Sequence, residues 1–416
     1  MRARAAAALL AALLVFPLAA LRADARTLSG SGDRALGLRT SLKANGLWSG
    51  APEGSDAADE VSQFLGRARF EVEWRNGPSF TGVVAYESTW RASSSSIPSL
   101  LPTDVLPGTA RAPYRIRPLE SEIAGEPGVR WLHEIDRAFV ALHGSRTELT
   151  LGRQAIGWGR GVLYGAVDLF VPFWPLQADR DWRPGVDAVR IDRKVGARSS
   201  AEAVGAFGPS LDESILAGRI RGYEGDVDAE IMGGRRAEDW FAGGTASAAI
   251  GGAELHAEAA YFRLPEPIPD SGEDVWKAVV GASRQIAVGH GLPIVVEYHY
   301  SGFGVAEAAG VPARLADESF LARYLRGDTQ ILSRHAAALW ATYEVSPELS
   351  AAATLLVAPT DGSGVLEPAL TIQAGNRFTL RGSLYWPFGR GLDGGVPASF
   401  YGATPRSVWL QLAFFD

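Results

Sequence analysis

Period-2 alternation constrains this chain more than any other feature, and it recurs along most of its 416 residues. In "RALGLRTSLKANGLW", Leu36, Leu38, Thr40 and Leu42 share one face while Arg39, Ser41, Lys43 and Asn45 share the other. In "FLGRARFEVEW", Phe64, Gly66, Ala68, Phe70, Val72 and Trp74 oppose Arg67, Arg69, Glu71 and Glu73. "GDVDAEI" sets Val227, Ala229 and Ile231 against Asp226, Asp228 and Glu230, and "AELHAEAAYF" sets Leu255, Ala257, Ala259 and Tyr261 against Glu254, His256 and Glu258. "NRFTLRGSLYW" repeats the pattern with Phe378, Leu380 and Leu384 against Arg377, Thr379, Arg381 and Ser383. Successive strand residues point to opposite faces, so each run reads as a strand with one apolar and one polar side.

A soluble sandwich alternates too, and the spacing of the runs separates the two architectures. About 18 strands fit the pattern. The second, fourth and later even connections are short, as at Arg75–Pro78, Gly144–Ser145, Gly251–Gly252 and Gly375–Asn376. Odd connections are often long: 91–130, 157–185, 302–329 and 387–404. Turns confined to one side, with both termini on that side, are what an outer-membrane barrel requires. The expectation is therefore an all-β transmembrane antiparallel β-barrel with short periplasmic turns and long extracellular loops.

Composition agrees. Mean hydropathy of +0.01 is too low for a helical membrane protein, yet 48 glycines and 10 % aromatic residues suit strands and turns. No cysteine is present, which removes disulfides and thiolate metal sites, and a net charge of −7 argues against nucleic acid. The start "MRARAAAALLAALLVFPLAALRADA" has a basic beginning, an apolar run and small residues at Ala23 and Ala25, so residues 1–25 read as a signal peptide and 26–416 as one barrel domain. Trp48, Trp74, Trp90, Trp131, Trp240, Trp276, Trp386 and Trp409 fall where strands meet the interfaces and read as aromatic girdles. The closing "SVWLQLAFFD" puts Val408, Leu410, Leu412 and Phe414 on one face, the alternating aromatic ending that barrel-assembly machinery reads, here followed by Asp416.

The stretch "GRQAIGWGRG", Gly152 to Gly161, has the glycine content of a phosphate cradle. Its G-x-G-x-G spacing is not the dinucleotide fingerprint, and no P-loop lysine follows. It reads instead as the top of a strand feeding a long connection. Strict parity places Arg153 on the face of Leu149 and Leu151, which calls for a bulge near Gly152 or the end of the membrane band. "LGRQAIGWGRG", "VDLFVPFWP" and "RPGVDAVRID" together resemble the strand-to-loop segment of porin-like barrels related to the alginate-export channels. Gly152, Arg153, Gln154, Trp158, Gly159, Asp168, Phe170, Pro172, Gly185 and Asp187 carry the match. The resemblance covers about 40 residues and implies the barrel class rather than a substrate.

Catalysis is not expected, since no G-x-S-x-G elbow occurs and no two His lie at i, i+4. No cofactor or metal is expected, and "DGSG" at Asp361 to Gly364 has too few ligands for Ca²⁺. The expected partners are outer-membrane lipids and lipopolysaccharide, the assembly machinery and a hydrophilic solute, with oligomeric state open. The expected function is a porin-like channel for passage or export of hydrophilic, anionic or sugar-like solutes, its selectivity set by charges lining the bore. The alternative is a structural barrel that sheathes another exported protein.

Closure would set a basic wall of Arg377, Arg381, Arg39, Lys43, Arg67 and Arg69 opposite an acidic one of Asp228, Glu230, Glu254, Glu258 and Glu297. The connection 157–185 carries Trp158, Phe170, Phe173, Trp174 and Trp182, which want burial, and Pro172, Pro175 and Pro184, which stiffen it. It is expected to fold inward and place Trp158, Asp168, Asp179, Arg180, Asp181 and Arg183 at a constriction. The run "PARLADESFLARYLRG" reads as a short helix stopped by Gly327 and packed on the rim.

Overall fold

The computed structural model describes residues 26–31, 34–51, 53, 60–94, 112–123 and 128–416, so the expected signal peptide lies outside the described residues. Eighteen antiparallel strands run in chain order: β1 Arg34–Ser49, β2 Val61–Asn76, β3 Phe80–Ser93, β4 Val129–His143, β5 Thr147–Gln154 and β6 Val186–Lys194. Then come β7 Ser199–Ala206, β8 Ile215–Glu224, β9 Val227–Arg236, β10 Asp239–Ile250, β11 Ala253–Ile268 and β12 Gly272–Ile286. The last six are β13 Leu292–Ser301, β14 His335–Ser346, β15 Leu349–Ala358, β16 Ser363–Ala374, β17 Phe378–Phe388 and β18 Ser407–Phe415. Each pairs with its chain neighbours, and β1 closes on β18 from Ser41↔Phe415 to Ser49↔Ser407. Closure leaves no edge, so every strand satisfies its backbone within the wall.

Two short strands complete the wall where long ones stop. Arg26–Ser31 pairs with the beginning of β1, below the reach of β18. Glu120–Ile123 pairs with Glu134–Trp131 of β4, in the row that β5 vacates after Gln154. At the β10–β11 turn, Gly251 and Gly252 have φ of 57° and 80°. Two consecutive positive φ values are the demand of the tightest hairpin, and glycine meets it without strain.

The outer surface inverts the usual order of exposure. Phe70 is 41 % exposed, Ile231 66 % and Leu380 45 %, while their inward neighbours Arg69, Glu230 and Thr379 are buried. Such a surface is stable only against hydrocarbon, so the outer face of the barrel meets the lipid of a membrane. Trp48, Trp74, Trp131, Trp240, Trp276 and Trp386 are exposed on that face. Trp409 is a correction: it alternates with Val408 and Leu410, points into the bore and is buried. Leu380→Arg should therefore cost about 2–4 kcal/mol of folding stability in lipid, because the charge enters the hydrocarbon. Arg381→Gln, one residue on, should leave stability nearly unchanged. Reversible unfolding in vesicles measures both, and equal costs would show the register to be wrong.

The expected rim helix is two helices, α1 Val311–Ala316 and α2 Glu318–Arg326. The break comes at Asp317, whose side chain accepts the Phe320 N–H at 3.0 Å and so caps α2. Gly327, at φ 85°, ends α2 as its spacing implied. Phe320 and Tyr324 are buried with Val305, Val311 and Leu332, and the Tyr324 ring lies 4.8 Å from that of Trp174. The helices thus sit on the β5–β6 connection at the extracellular mouth. Asp361 of "DGSG" is a loop fastener, accepting the N–H groups of Ser363 at 2.9 Å and Phe400 at 2.8 Å.

Candidate constriction site in the bore

The connection between β5 and β6, residues 155–185, runs through the interior of the barrel. Burial of Ile156, Trp158, Leu163, Val167, Leu169 and Phe170 drives it there, since they join one core with inward wall residues such as Val204, Phe241, Phe262 and Leu356. β5 can deliver the chain inward because Gly152 sits at φ +114°. A Cβ there would lie 2.2 Å from the Ala138 carbonyl oxygen. Arg153 keeps its register opposite Asp187, and the pair neutralise each other at 2.7 and 3.0 Å. Carbonyls of Ile135 and Arg117 take two more of its donors, so the cation that parity left exposed is buried and held by four hydrogen bonds. The bulge lies across from it, in β4: Ala85 pairs with Arg137 and Tyr86 with Ile135, which leaves Asp136 as the extra residue.

The glycine-rich stretch does cradle anions, and they are the protein's own. Glu258 of β11 accepts N–H bonds from Arg160, from Gly161 at 2.8 Å, from Ala166 at 2.7 Å and from Val167 at 3.3 Å. Glu297 of β13 accepts those of Val162 at 2.5 Å, Leu163 at 2.9 Å and Tyr164 at 3.0 Å, together with His256 Nε2 at 3.0 Å. Gln330 accepts Gly165 N–H at 2.8 Å. Eight consecutive amides, 160–167, are thereby satisfied by side chains, as buried backbone without a ladder must be. Gly159 has φ +102°, and a Cβ on it would lie 2.8 Å from Glu258 Oε1, so glycine lets the backbone close on the carboxylate.

The far end of the loop is tied to the opposite wall by charge. Lys43 Nζ contacts Asp179 at 2.7 Å and Asp181 at 2.6 Å, and lies 3.9 Å from the centre of the Trp182 ring. Arg67 reaches Asp179 at 3.6 Å and Arg381 reaches Asp181 at 3.4 Å. Burial alone would raise the Asp181 carboxyl, but Lys43 and then Arg381 hold it below the usual carboxylate range. Between the two ends, Trp158 Nε1 donates to Glu202 at 2.8 Å, and Arg160 pairs with Asp228 at 2.6 Å and Glu230 at 3.5 Å.

The loop lies between inward-facing cations of β1, β2 and β17 and inward-facing carboxylates of β9, β11 and β13, and it pairs with groups on both sides. Lys43, Glu258 and Glu297 face inward and are buried beneath the loop, where they act as fastenings rather than as free wall charges. Arg69 is likewise consumed, by Asp136 at 2.6 Å and by Glu71 and Glu87, and Glu230 by Arg219 at 2.9 Å. Arg39 and Glu254 remain exposed, Arg39 alongside Glu71 and Glu73. Arg377 sits on the turn before β17 and not in the wall, because β17 begins at Phe378. Of the loop residues, Arg183 pairs with Asp168 at 2.6 Å, and Arg180 bonds backbone carbonyls of its own loop.

Sequence reading missed Glu202, Asp136 and Gln330. Glu202 alternates with Ala201 and Ala203 on β7 and was open to the same parity count. Asp136 was not, since the bulge in β4 shifts parity, and Gln330 comes from a loop that only the tertiary fold brings near.

No family model matches this chain, and no curated protein matches it. Solved structures share its fold. OccAB4 of Acinetobacter baumannii superposes with a TM-score of 0.54 at 10 % identity, over 91 % of this chain and 97 % of that one. A BenF-like porin from Pseudomonas fluorescens gives 0.52 at 11 % identity, over 92 % and 98 %. Wzi, an Escherichia coli outer-membrane protein involved in group 1 capsule assembly and a carbohydrate-binding barrel, gives 0.52 at 10 % identity, over 98 % and 87 %. The fold is that of porin-like outer-membrane barrels.

Proposed function

We propose that this barrel is an outer-membrane channel for small hydrophilic solutes, anionic or sugar-like, with the loop 155–185 as its constriction. The observation that carries the reading is the loop itself, which spans the bore from the acidic wall at Glu258 and Glu297 to the basic wall at Lys43. A loop fastened at both ends narrows a lumen without being free to leave it, which is how a wide barrel becomes selective. Likeness to the porin folds supports passage, and the segment resembling alginate-export channels supports a hydrophilic solute. The alternating β18 suits recognition by the assembly machinery, and residues 1–25 suit removal as an export signal.

Selectivity then rests on the charges left in water. The Arg39 side chain is 64 % exposed and that of Arg381 32 %. Arg39→Glu combined with Arg381→Glu should shift the reversal potential under a salt gradient towards cations. An unchanged potential would show that ions pass elsewhere. The second reading, a structural sheath, draws on the packing of the loop against so much of the wall. Purified protein in planar bilayers separates the two: discrete conductance steps support the channel, and silence supports the sheath.

A further inference from the structure

At the short-turn end of the barrel, three cations without partners stand together where the lipid-facing surface stops. Register places Phe80, Leu142, Leu149 and Ile191, on β3 to β6, in one outward row. The Phe80 ring lies 4.8 Å from that of Trp74, so this row is at the depth of the aromatic girdle, where hydrocarbon gives way to headgroups. One outward step beyond it Thr147 faces Arg193, about 7 Å farther along the strands. Arg193 alternates with Val189 and Ile191 and keeps their lipid-facing side. Arg146 and Lys194 flank it on the rim, with the Lys194 N–H donating to the Arg146 carbonyl oxygen at 2.8 Å. All three are exposed, and among the described residues none of their side chains makes a hydrogen bond or an ion pair.

The cluster is not the surplus of a basic chain, since the net charge is −7. Two other cations at this end have carboxylates, Glu73 for Arg75 at 3.3 Å and Glu224 for Arg198 at 3.5 Å. The β8–β9 turn is itself acidic, with Glu224 and Asp226 exposed. Three like charges on neighbouring strand ends repel one another, and an anion lying among them removes the repulsion. Val195, which follows Lys194 in the turn, is 61 % exposed, so the place offers apolar as well as ionic contact. Towards the membrane centre the outward surface of β4 to β6 is aliphatic over two rows, Leu142, Leu149 and Ile191, then Val140, Leu151 and Val189. An anion that carries hydrocarbon chains matches both parts.

We propose that Arg146, Arg193 and Lys194 bind the headgroup of an anionic phospholipid in the leaflet that meets the short turns. Its phosphate lies among the three cations, and its acyl chains run along the two aliphatic rows. A soluble phosphate would meet the same cations but leave those rows unused. The site needs lipid around the barrel and nothing passing through it, so a silent bilayer recording would remove the channel and leave the site.

Native mass spectrometry of the whole barrel in detergent tests it with dioleoylphosphatidylglycerol, dioleoylphosphatidylcholine and glycerol 3-phosphate. The two lipids share their chains, and the third probe has the anionic phosphate without chains. A cation at a membrane surface contributes about fivefold in affinity for anionic lipid, so phosphatidylglycerol should be held at least about tenfold more tightly than phosphatidylcholine. Glycerol 3-phosphate should not be retained. Arg146→Gln, Arg193→Gln and Lys194→Gln together should erase the preference. Arg34→Gln, Arg75→Gln and Arg284→Gln remove the same charge from exposed positions on β1, β2 and β12 at the same end, and should leave it in place. Heat-modifiable mobility checks assembly of both variants. The wild type gives a reading that needs no variant: raising ionic strength from about 0.05 to about 0.5 M should loosen phosphatidylglycerol and not phosphatidylcholine. Equal retention of the two lipids, or retention of phosphatidylglycerol that ignores salt, overturns the site. So does glycerol 3-phosphate held as tightly as phosphatidylglycerol, or a scattered variant that loses as much as the clustered one.

Discussion

Replacing Val162 to Arg183 with a short Gly-Ser turn should raise single-channel conductance several-fold, the largest change expected from any variant of this protein. The segment takes up the interior between β1 and β11, held by Lys43 at one end and Glu258 at the other. Without it, the walls still close through the β1–β18 pairing, which involves no loop residue. The core apolar wall positions, such as Val204 and Phe262, would then face water, so the shortened barrel should unfold at lower denaturant. Heat-modifiable mobility checks assembly, and planar bilayers read the conductance. Correctly assembled barrels with unchanged steps would mean that solute does not pass the loop.

A smaller change in covalent structure should have an effect of the same kind. Glu258→Gln and Glu297→Gln preserve shape, but an amide has one acceptor oxygen where the carboxylate has two. In Glu258 one oxygen serves Arg160 and Gly161 and the other serves Ala166 and Val167. Whichever way the amide turns, its NH₂ meets two N–H donors. Loss of two charge-assisted bonds weakens loop anchoring by about 3–6 kcal/mol. The expected readout is a noisier, higher open-state current with frequent transitions between levels. Glu254→Gln, on the same strand but exposed and away from the loop, should leave the trace unchanged. Quiet wild-type steps from Glu258→Gln would show that apolar packing alone holds the loop.

The strand count, the parity of the connections and the facing of most side chains were legible in the sequence, because β-structure writes its two faces with a fixed period of two. The β5–β6 connection carries a different cue, its large aromatic residues: Trp158 and Phe170 join the core of the bore, while Trp174 packs instead on Tyr324 of α2. Legibility failed where parity is broken or shared. The bulge at Asp136 shifts the count within β4, and Trp409 was placed by its chemistry as a girdle although its neighbours' alternation turns it inward.

What the charges do was decided by the tertiary structure. Alternation states that Lys43, Glu258 and Glu297 point into the bore, and it states nothing about what meets them there. Their partners, Asp179 and the amides 160–167, lie more than ninety residues away along the chain and arrive only once the loop has crossed the closed barrel. The same holds for "GRQAIGWGRG". Its glycines announce a backbone able to grip an anion, but the anion proved to be a carboxylate of the facing wall. Facing is a local property of each strand; compensation is a property of two distant segments held at contact distance, and only the closed fold sets that distance.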